Sequence, residues 1–523
     1  MKKSKNQKSQ KSHFDISSLS DKVFRGILWA GSKTIIIYVV RCITLVIFAR
    51  LLKPEDFGII TAIMTIVNFL IIFCHSWVVP FIVRCPTLEL IHIRVSFTLS
   101  LLFGVNFSIL TWIIAPAIAY FLRMENTLIF IKILSLTFTL SGLSIVSKAL
   151  LYREMRFESL AMIEVLSYAT GYIGVGIPLA VFGFGAWALA GAYLTEVLIS
   201  SISALLLRPH DFRPAIDKAS IRQLLEFGGG YVFTRIANYI STQGDKLIIG
   251  RYLGAHQLGI YGRAYYLVGI VSSLVEGAVG RVLFAAMARL QHDQERLRLV
   301  YLRSISLINL ILCPGTIVSM IIAPELIDLL LGNQWHETVT PFRLLAMGMW
   351  CGALYEISHY LVMVKGSVHL LGSIQSLYAG LVIVGALVGL YWGVSGVAGG
   401  VMISIVVNTL LIITLSLKLT KTTWYTILDT FVPAIVSGCT LGLCSWIISQ
   451  ILRSLHFSSI TILLAVGLNY LLIWSLFWRI SPNLFFGSIG NEVMRIIVSK
   501  ISPQMQSILH FLTCNKIRVN ANE

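Results

Sequence analysis

Charge is what this chain of 523 residues has least of: only 12% is Asp, Glu, Lys or Arg, against 56% hydrophobic residues. A soluble domain carries about twice that charged share, so a water-filled setting is excluded. No connection between apolar runs is long enough for a catalytic domain. The eight cysteines (Cys42, Cys74, Cys85, Cys313, Cys351, Cys439, Cys444, Cys514) are scattered without CxxC spacing, so they read as small packing residues, and no metal site is expected. Acid is scarcer than base, 24 Asp and Glu against 41 Lys and Arg, a formal charge of +17. That excess does not point to nucleic acid, because most of it falls on alternate connections and on the two tails. Such a bias marks the cytoplasmic face of a membrane protein and places both termini there, with anionic lipid headgroups as secondary partners.

What is present is a series of long apolar runs. At roughly 20 residues per crossing, they predict an all-α integral membrane protein of about fourteen spans. The first run follows a Lys, Ser and Gln-rich tail and lacks a small-residue cleavage site, so it reads as a first span and not as a removed signal peptide.

The spans repeat. Residues 49–60 return at 250–261: Arg50 matches Arg251, Leu52 matches Leu253, Gly58 matches Gly259 and Ile59 matches Ile260, all at an offset of 201. Each copy reads as a hinge between two apolar helices, with Pro54 and Gly58, or Gly254 and Gly259, supplying the chain reversal. Ile113-Ile114-Ala115-Pro116 returns as Ile321-Ile322-Ala323-Pro324 at offset 208, each closing a helix. The turn Gly183-Phe184-Gly185 is matched to Gly393-Val394-Ser395-Gly396 at offset 210. Six spans per copy is an even number, so the copies enter the membrane in the same sense, a parallel repeat with a cavity between lobes.

The organisation that follows is a basic tail (1–24), a six-helix lobe (25–207) and a connector (208–221). A second six-helix lobe (222–417), helices 13 and 14 (418–480) and a tail with a candidate interfacial helix (481–523) complete it. Helix 2 is expected over about 59–83 and helix 8 over about 261–286.

Four motifs carry a family resemblance. Leu51-Leu-x-Pro-x-Asp-Phe-Gly58, Arg153-x-Met-x-Phe157 with Glu164, and Gly183-Phe-Gly-Ala-Trp-Ala-Leu189 are three. Asp245-Lys-x-Ile-Ile-Gly-Arg-x-Leu-Gly254, followed by Leu-Gly-Ile-Tyr-Gly-Arg-Ala-Tyr265, is the fourth. Together they resemble the polysaccharide transporters of bacteria, flippases of lipid-linked O-antigen, colanic-acid and exopolysaccharide units within the multidrug/oligosaccharidyl-lipid/polysaccharide superfamily. The chain departs from the family pattern at Trp77-Val78-Val79-Pro80, where small residues are usual. The resemblance implies a transporter of the bacterial inner membrane with no cofactor, driven by alternating access, with coupling to H+ or Na+ allowed. Its cargo would be a lipid-linked oligosaccharide, and polysaccharide polymerases and glycosyltransferases would be neighbours.

Charged residues inside spans cost roughly 2.5–3.5 kcal/mol each on insertion scales, so they face protein or a wet cavity. Lys33 and Arg41 in the first helix, Arg235 in the seventh and Arg281 in the eighth are the candidate ligands for an anionic diphosphate. Lys33 and Arg235 precede Arg50 and Arg251 by nearly equal steps, and Lys33 and Arg41 lie about 80° apart on a helix. Snorkelling to headgroups is the alternative for Lys33 and Arg281. Glu276, Glu196 and Glu356 are the coupling-ion candidates, with internal ion pairing as their alternative. Two rival functions remain. A multidrug exporter of the same superfamily would favour acidic leading helices, whereas these are basic. A membrane glycosyltransferase or polymerase would need Glu55-Asp56 as catalytic acids, although a turn explains that pair.

Overall fold

A computed structural model describes residues 39–75, 77–275 and 280–480. Lys33, Glu276 and both tails lie outside the described residues.

The chain is an all-α, multi-pass membrane protein. The first half comprises α1 (39–51), α2 (Pro54–His75), α3 (Val78–Arg84), α4 (Leu90–Leu122), α5 (Leu128–Leu134) and α6 (Leu136–Arg153). It continues with α7 (Phe157–Tyr168), a π-helical stretch over Ala169–Gly176, α8 (Ile177–Val181) and α9 (Ala186–Leu207). The second half has α10 (Lys218–Val275), α11 (Arg281–Arg289), α12 (Gln294–Ile321), α13 (Ala323–Leu330) and α14 (Val339–Val364). It ends with α15 (Val368–Gly389), α16 (Gly393–Thr420), α17 (Trp424–Ser454) and α18 (Ser459–Ile480).

Among the described residues, nine helical stretches are long and apolar enough to cross a membrane, fewer than the fourteen expected. The first expected span is described only from residue 39 and so is not among the nine; the rest of the difference lies in the helices themselves. One 52-residue stretch, His369–Thr420, holds both α15 and α16. The helices α10 and α14 fall short because they carry Arg235, Asp245, Lys246, Arg251 and Arg263, and Arg343, Glu356 and His359.

The hinges are sharper than their motifs suggested. The first break is confined to Leu52-Lys53, and Pro54 starts α2, where its missing N–H costs nothing. The second is one residue, Gly254 at φ 85°, inside an otherwise continuous α10. Lys53 and Gly254 are 201 apart, so the breaks keep the repeat's register. Gly58 and Gly259, by contrast, are not turn residues. Both are helical and sit where the halves touch. A Cβ on Gly58 would stand 1.7 Å from the carbonyl oxygen of Ala255, and one on Gly259 would stand 1.9 Å from that of Pro54. Because 54 and 255 are themselves repeat partners, the contact is reciprocal, as two copies related by a two-fold axis require. Glycine spaced four from a neighbour's contact is the device by which membrane helices bring backbones together.

Two other landmarks differ from expectation. Pro116 does not end a helix, since α4 runs through it to Leu122, whereas Ile322-Ala323-Pro324 does separate α12 from α13. The glycine turn repeats at offset 208 and not 210. Gly185 (φ 56°, ψ −130°) and Gly393 (φ 67°, ψ −156°) share one left-handed conformation at the starts of α9 and α16. Helix 2 is split between α2 and α3 beside Trp77, whose indole N–H donates to the carbonyl of Phe73 (2.7 Å) and whose ring meets Phe103 edge-on.

The core locates the site. At the hinge end, one apolar cluster spans both halves, with Ala49, Phe57 and Ile63 packed among Ile249, Tyr261, Trp335 and Val397. At the opposite end, beside the basic connections, packing divides. Val78, Phe81, Val146 and Leu150 form one cluster with Leu224, while Met287, Leu297, Tyr301, Leu354 and Leu417 form another.

Candidate functional site

Between the halves, next to the shared core, lies a cavity of about 420 Å³. A second space of about 360 Å³ shares Arg41, Thr61, Lys246, Arg263 and Tyr266 with it, so the two adjoin. Helices α1, α2, α9 and α10 position the lining, together with Tyr168 and Tyr172 at the end of α7 and in the π-helical stretch.

Three cations line this space, and each is held by different chemistry. Arg41 donates to Glu164 (3.0 Å) and lies 5.3 Å from the centre of the Tyr168 ring. Lys246, 9% exposed, donates to Gln243 Oε1 (2.6 Å) and stands 4.3 Å over Tyr265. Arg263 is half-buried, with its guanidinium carbon 4.2 Å from the Phe57 ring centre and 5.3 Å from that of Tyr266. Its Nε is buried with no hydrogen-bond partner among the described residues. Ring faces stabilise a cation without using its N–H donors, so these groups keep donors for an incoming anion. Behind Lys246, Asp245 is 1% exposed and accepts from Tyr261 Oη and from the Lys246 backbone N–H (2.8 Å).

Of the residues singled out from sequence, the cavity takes in Arg41 and Glu196. Arg235 is exposed on α10 and is not among the lining residues of either space. Arg281 opens α11, and its side chain lies outside the described residues. Glu356 is half-buried on α14, also away from the lining. Lys246 and Arg263, which line the cavity, are not among the sequence candidates, although both stand inside the fourth family motif. Asp56 accepts from the Lys53 backbone N–H (3.0 Å), so it is engaged at the start of α2. No group of three or more His, Cys, Asp or Glu suited to a metal occurs among the described residues.

Residues 47–340 match the family model described as polysaccharide biosynthesis protein, more than half of the chain. The chain belongs to that family. Among curated relatives, it is similar to the lipopolysaccharide biosynthesis protein WzxC of Escherichia coli (strain K12), 24% identical over 63% of this chain and 67% of that protein. It is also similar to the succinoglycan biosynthesis transport protein ExoT of Rhizobium meliloti (strain 1021), 26% identical over 66% of this chain and 69% of that protein. Among solved structures, the lipid II flippase MurJ shares the fold, with a TM-score of 0.70 at 15% identity, covering 86% of this chain and 99% of that one. In this chain a duplicated helical membrane fold thus surrounds a cation-lined space.

Proposed function

We propose that this protein is a flippase that carries polyprenyl-pyrophosphate-linked polysaccharide repeat units across the bacterial inner membrane by alternating access. The observation that carries the proposal is the cavity lined by Arg41, Lys246 and Arg263, closed off by a core common to both halves at one end. A diphosphate presents acceptor oxygens that Arg forks grip in bidentate fashion, while Lys contributes a point charge. The names of WzxC, ExoT and MurJ support the cargo class. A cation exporter is disfavoured by the same three charges.

With basic connections on the cytoplasmic side, the divided end of the molecule faces the cytoplasm. The cavity there receives a unit built by glycosyltransferases, and rocking of the halves releases it outside to a polymerase. The test is a strain lacking the protein, complemented with the wild type or with Lys246→Ala/Arg263→Ala. Loss of two charge-assisted contacts, each worth about 1.5–3 kcal/mol, lowers transport by more than tenfold at equal protein level, and complete lipid-linked units accumulate on the cytoplasmic leaflet. Units that still reach the outer leaflet without the protein would refute the proposal.

A further inference from the structure

The cavity has two unlike walls. Lys246 and Arg263 both come from α10, in the second half. The facing wall, from the first half, presents Tyr168, Tyr172, Tyr193 and Glu196. Tyr168 and Tyr172 are stacked with ring centres 4.4 Å apart and planes 16° off parallel. The Tyr168 hydroxyl is fixed by Thr44 Oγ1 (2.7 Å), which anchors the stack to α1. Tyr193 precedes Glu196 by three residues on α9, one turn away on the same face.

This wall is packed as one block. A Cβ on Gly171 would stand 2.5 Å from the carbonyl oxygen of Ala192 and 2.9 Å from the backbone nitrogen of Glu196, so the π-helical stretch lies directly on α9. The carboxylate itself is half-buried and, among the described residues, forms no hydrogen bond or ion pair. Arg41, which lines the same space, is paired with Glu164.

We infer that Glu196 is a specificity-determining residue that selects cargo whose lipid-proximal sugar carries no carboxylate. The inference rests on the flippase reading above. With the diphosphate on Lys246 and Arg263, the first sugar lies toward the tyrosine wall. Its hydroxyls donate to Glu196, which as a carboxylate has acceptors and no donor, and its C–H faces pack against tyrosine rings. A uronic acid at that position brings a second carboxylate toward the first, with the α10 cations already engaged by phosphate. Like charges brought close in a partly desolvated site repel strongly, so discrimination of roughly tenfold or more is expected.

The test uses the full-length protein in liposomes with two synthetic probes, polyprenyl diphosphates carrying either glucose or glucuronic acid as the first sugar. Wild type moves the glucose probe and leaves the glucuronic acid probe at least roughly tenfold slower. Glu196→Gln, which keeps shape and polarity, moves both at similar rates, and Glu196→Asp keeps the preference. If wild type moves both probes equally, the inference fails and the flippase reading stands. If Glu196→Gln is present at normal levels but moves neither probe, the carboxylate serves the transport cycle and the inference fails. Transport of neither probe by the wild type would overturn the flippase reading and the inference with it. Should the Gln form not accumulate, the wild-type ratio and the Asp form decide the question.

Discussion

The hinge end is latched across the halves by a few named bonds, and loosening it has a calculable effect. Gln334 Nε2 donates to the carbonyls of Ala49 (2.6 Å), in the last turn of α1, and Leu52 (3.1 Å), just past it, where helix carbonyls lack intrahelical partners. The indole N–H of Trp335 donates to Ala49 as well (2.8 Å), its ring is fully buried, and it meets Phe57 edge-on at 5.3 Å. Arg50 returns the contact by donating to the Leu329 carbonyl (2.8 Å). Trp335→Phe keeps most of the packing and removes one hydrogen bond, about 1 kcal/mol, which shifts the closed-to-open ratio about fivefold. Gln334→Ala removes two such bonds, about 2 kcal/mol or roughly thirtyfold. A cysteine placed at Thr61, in the cavity lining, reports the shift through labelling by a membrane-impermeant maleimide added from the hinge side. Glu337→Ala is the control, because Glu337 pairs with His256 and Gln257 of its own half. Labelling that rises equally in the control and in both variants, or in none of them, would refute the latch.

Two further outcomes follow from the same contacts. Gly58→Val and Gly259→Val each place a side chain inside carbonyl-contact distance of the other half, so both reduce folded protein in membranes severely, and by similar amounts because the contacts are reciprocal; a variant accumulating at wild-type level would contradict the close approach. In the connector between α9 and α10, His210 packs between Phe97 and Phe212 and bonds Ser147 through Nδ1 (3.0 Å). Burial, aided by the Arg208 charge, pushes its imidazole down to about 4. A folded-state value below the unfolded one means the neutral ring is preferred, so docking of the connector is complete above about pH 6.5 and is lost progressively as pH falls toward 4. Hydrogen exchange of residues 208–217 rises over that window in the wild type and stays flat in His210→Phe.

The repeat was legible because duplication preserves spacing, and the two chain breaks keep the offset of 201. What the glycines do was less legible. A glycine in sequence announces freedom from a Cβ, and Gly254 uses it for a left-handed backbone whereas Gly58 and Gly259 use it for close approach. Only the neighbour's position distinguishes the two uses. The site was half legible for a similar reason. A helix in lipid is apolar on both its lipid face and its packed face, so periodicity does not say which side looks inward. Searching by repeat symmetry favoured Arg235, which is exposed, over Lys246 and Arg263, which line the cavity. Their presence in the fourth motif was the available signal.

Repeat symmetry misled because the cavity's chemistry does not share it. At the offset of 201, Lys246 corresponds to Leu45 and Arg263 to Ala62, so the first half supplies apolar groups where the second supplies cations. The backbone contacts, on the other hand, are reciprocal, with Gly58 on residue 255 and Gly259 on residue 54. These two facts assign different tasks to the duplication. A near-symmetric contact gives two halves that can rock about a common line with matched contacts, which alternating access needs. On the proposed function, an asymmetric lining fixes the orientation of the cargo, because α10 offers a diphosphate two cations whereas the opposite wall offers Arg41 alone, already paired with Glu164. A symmetric lining would accept the ligand either way round and would leave the lipid tail without a defined exit. On the proposed function, rocking would belong to what the two copies kept, and recognition to what they changed.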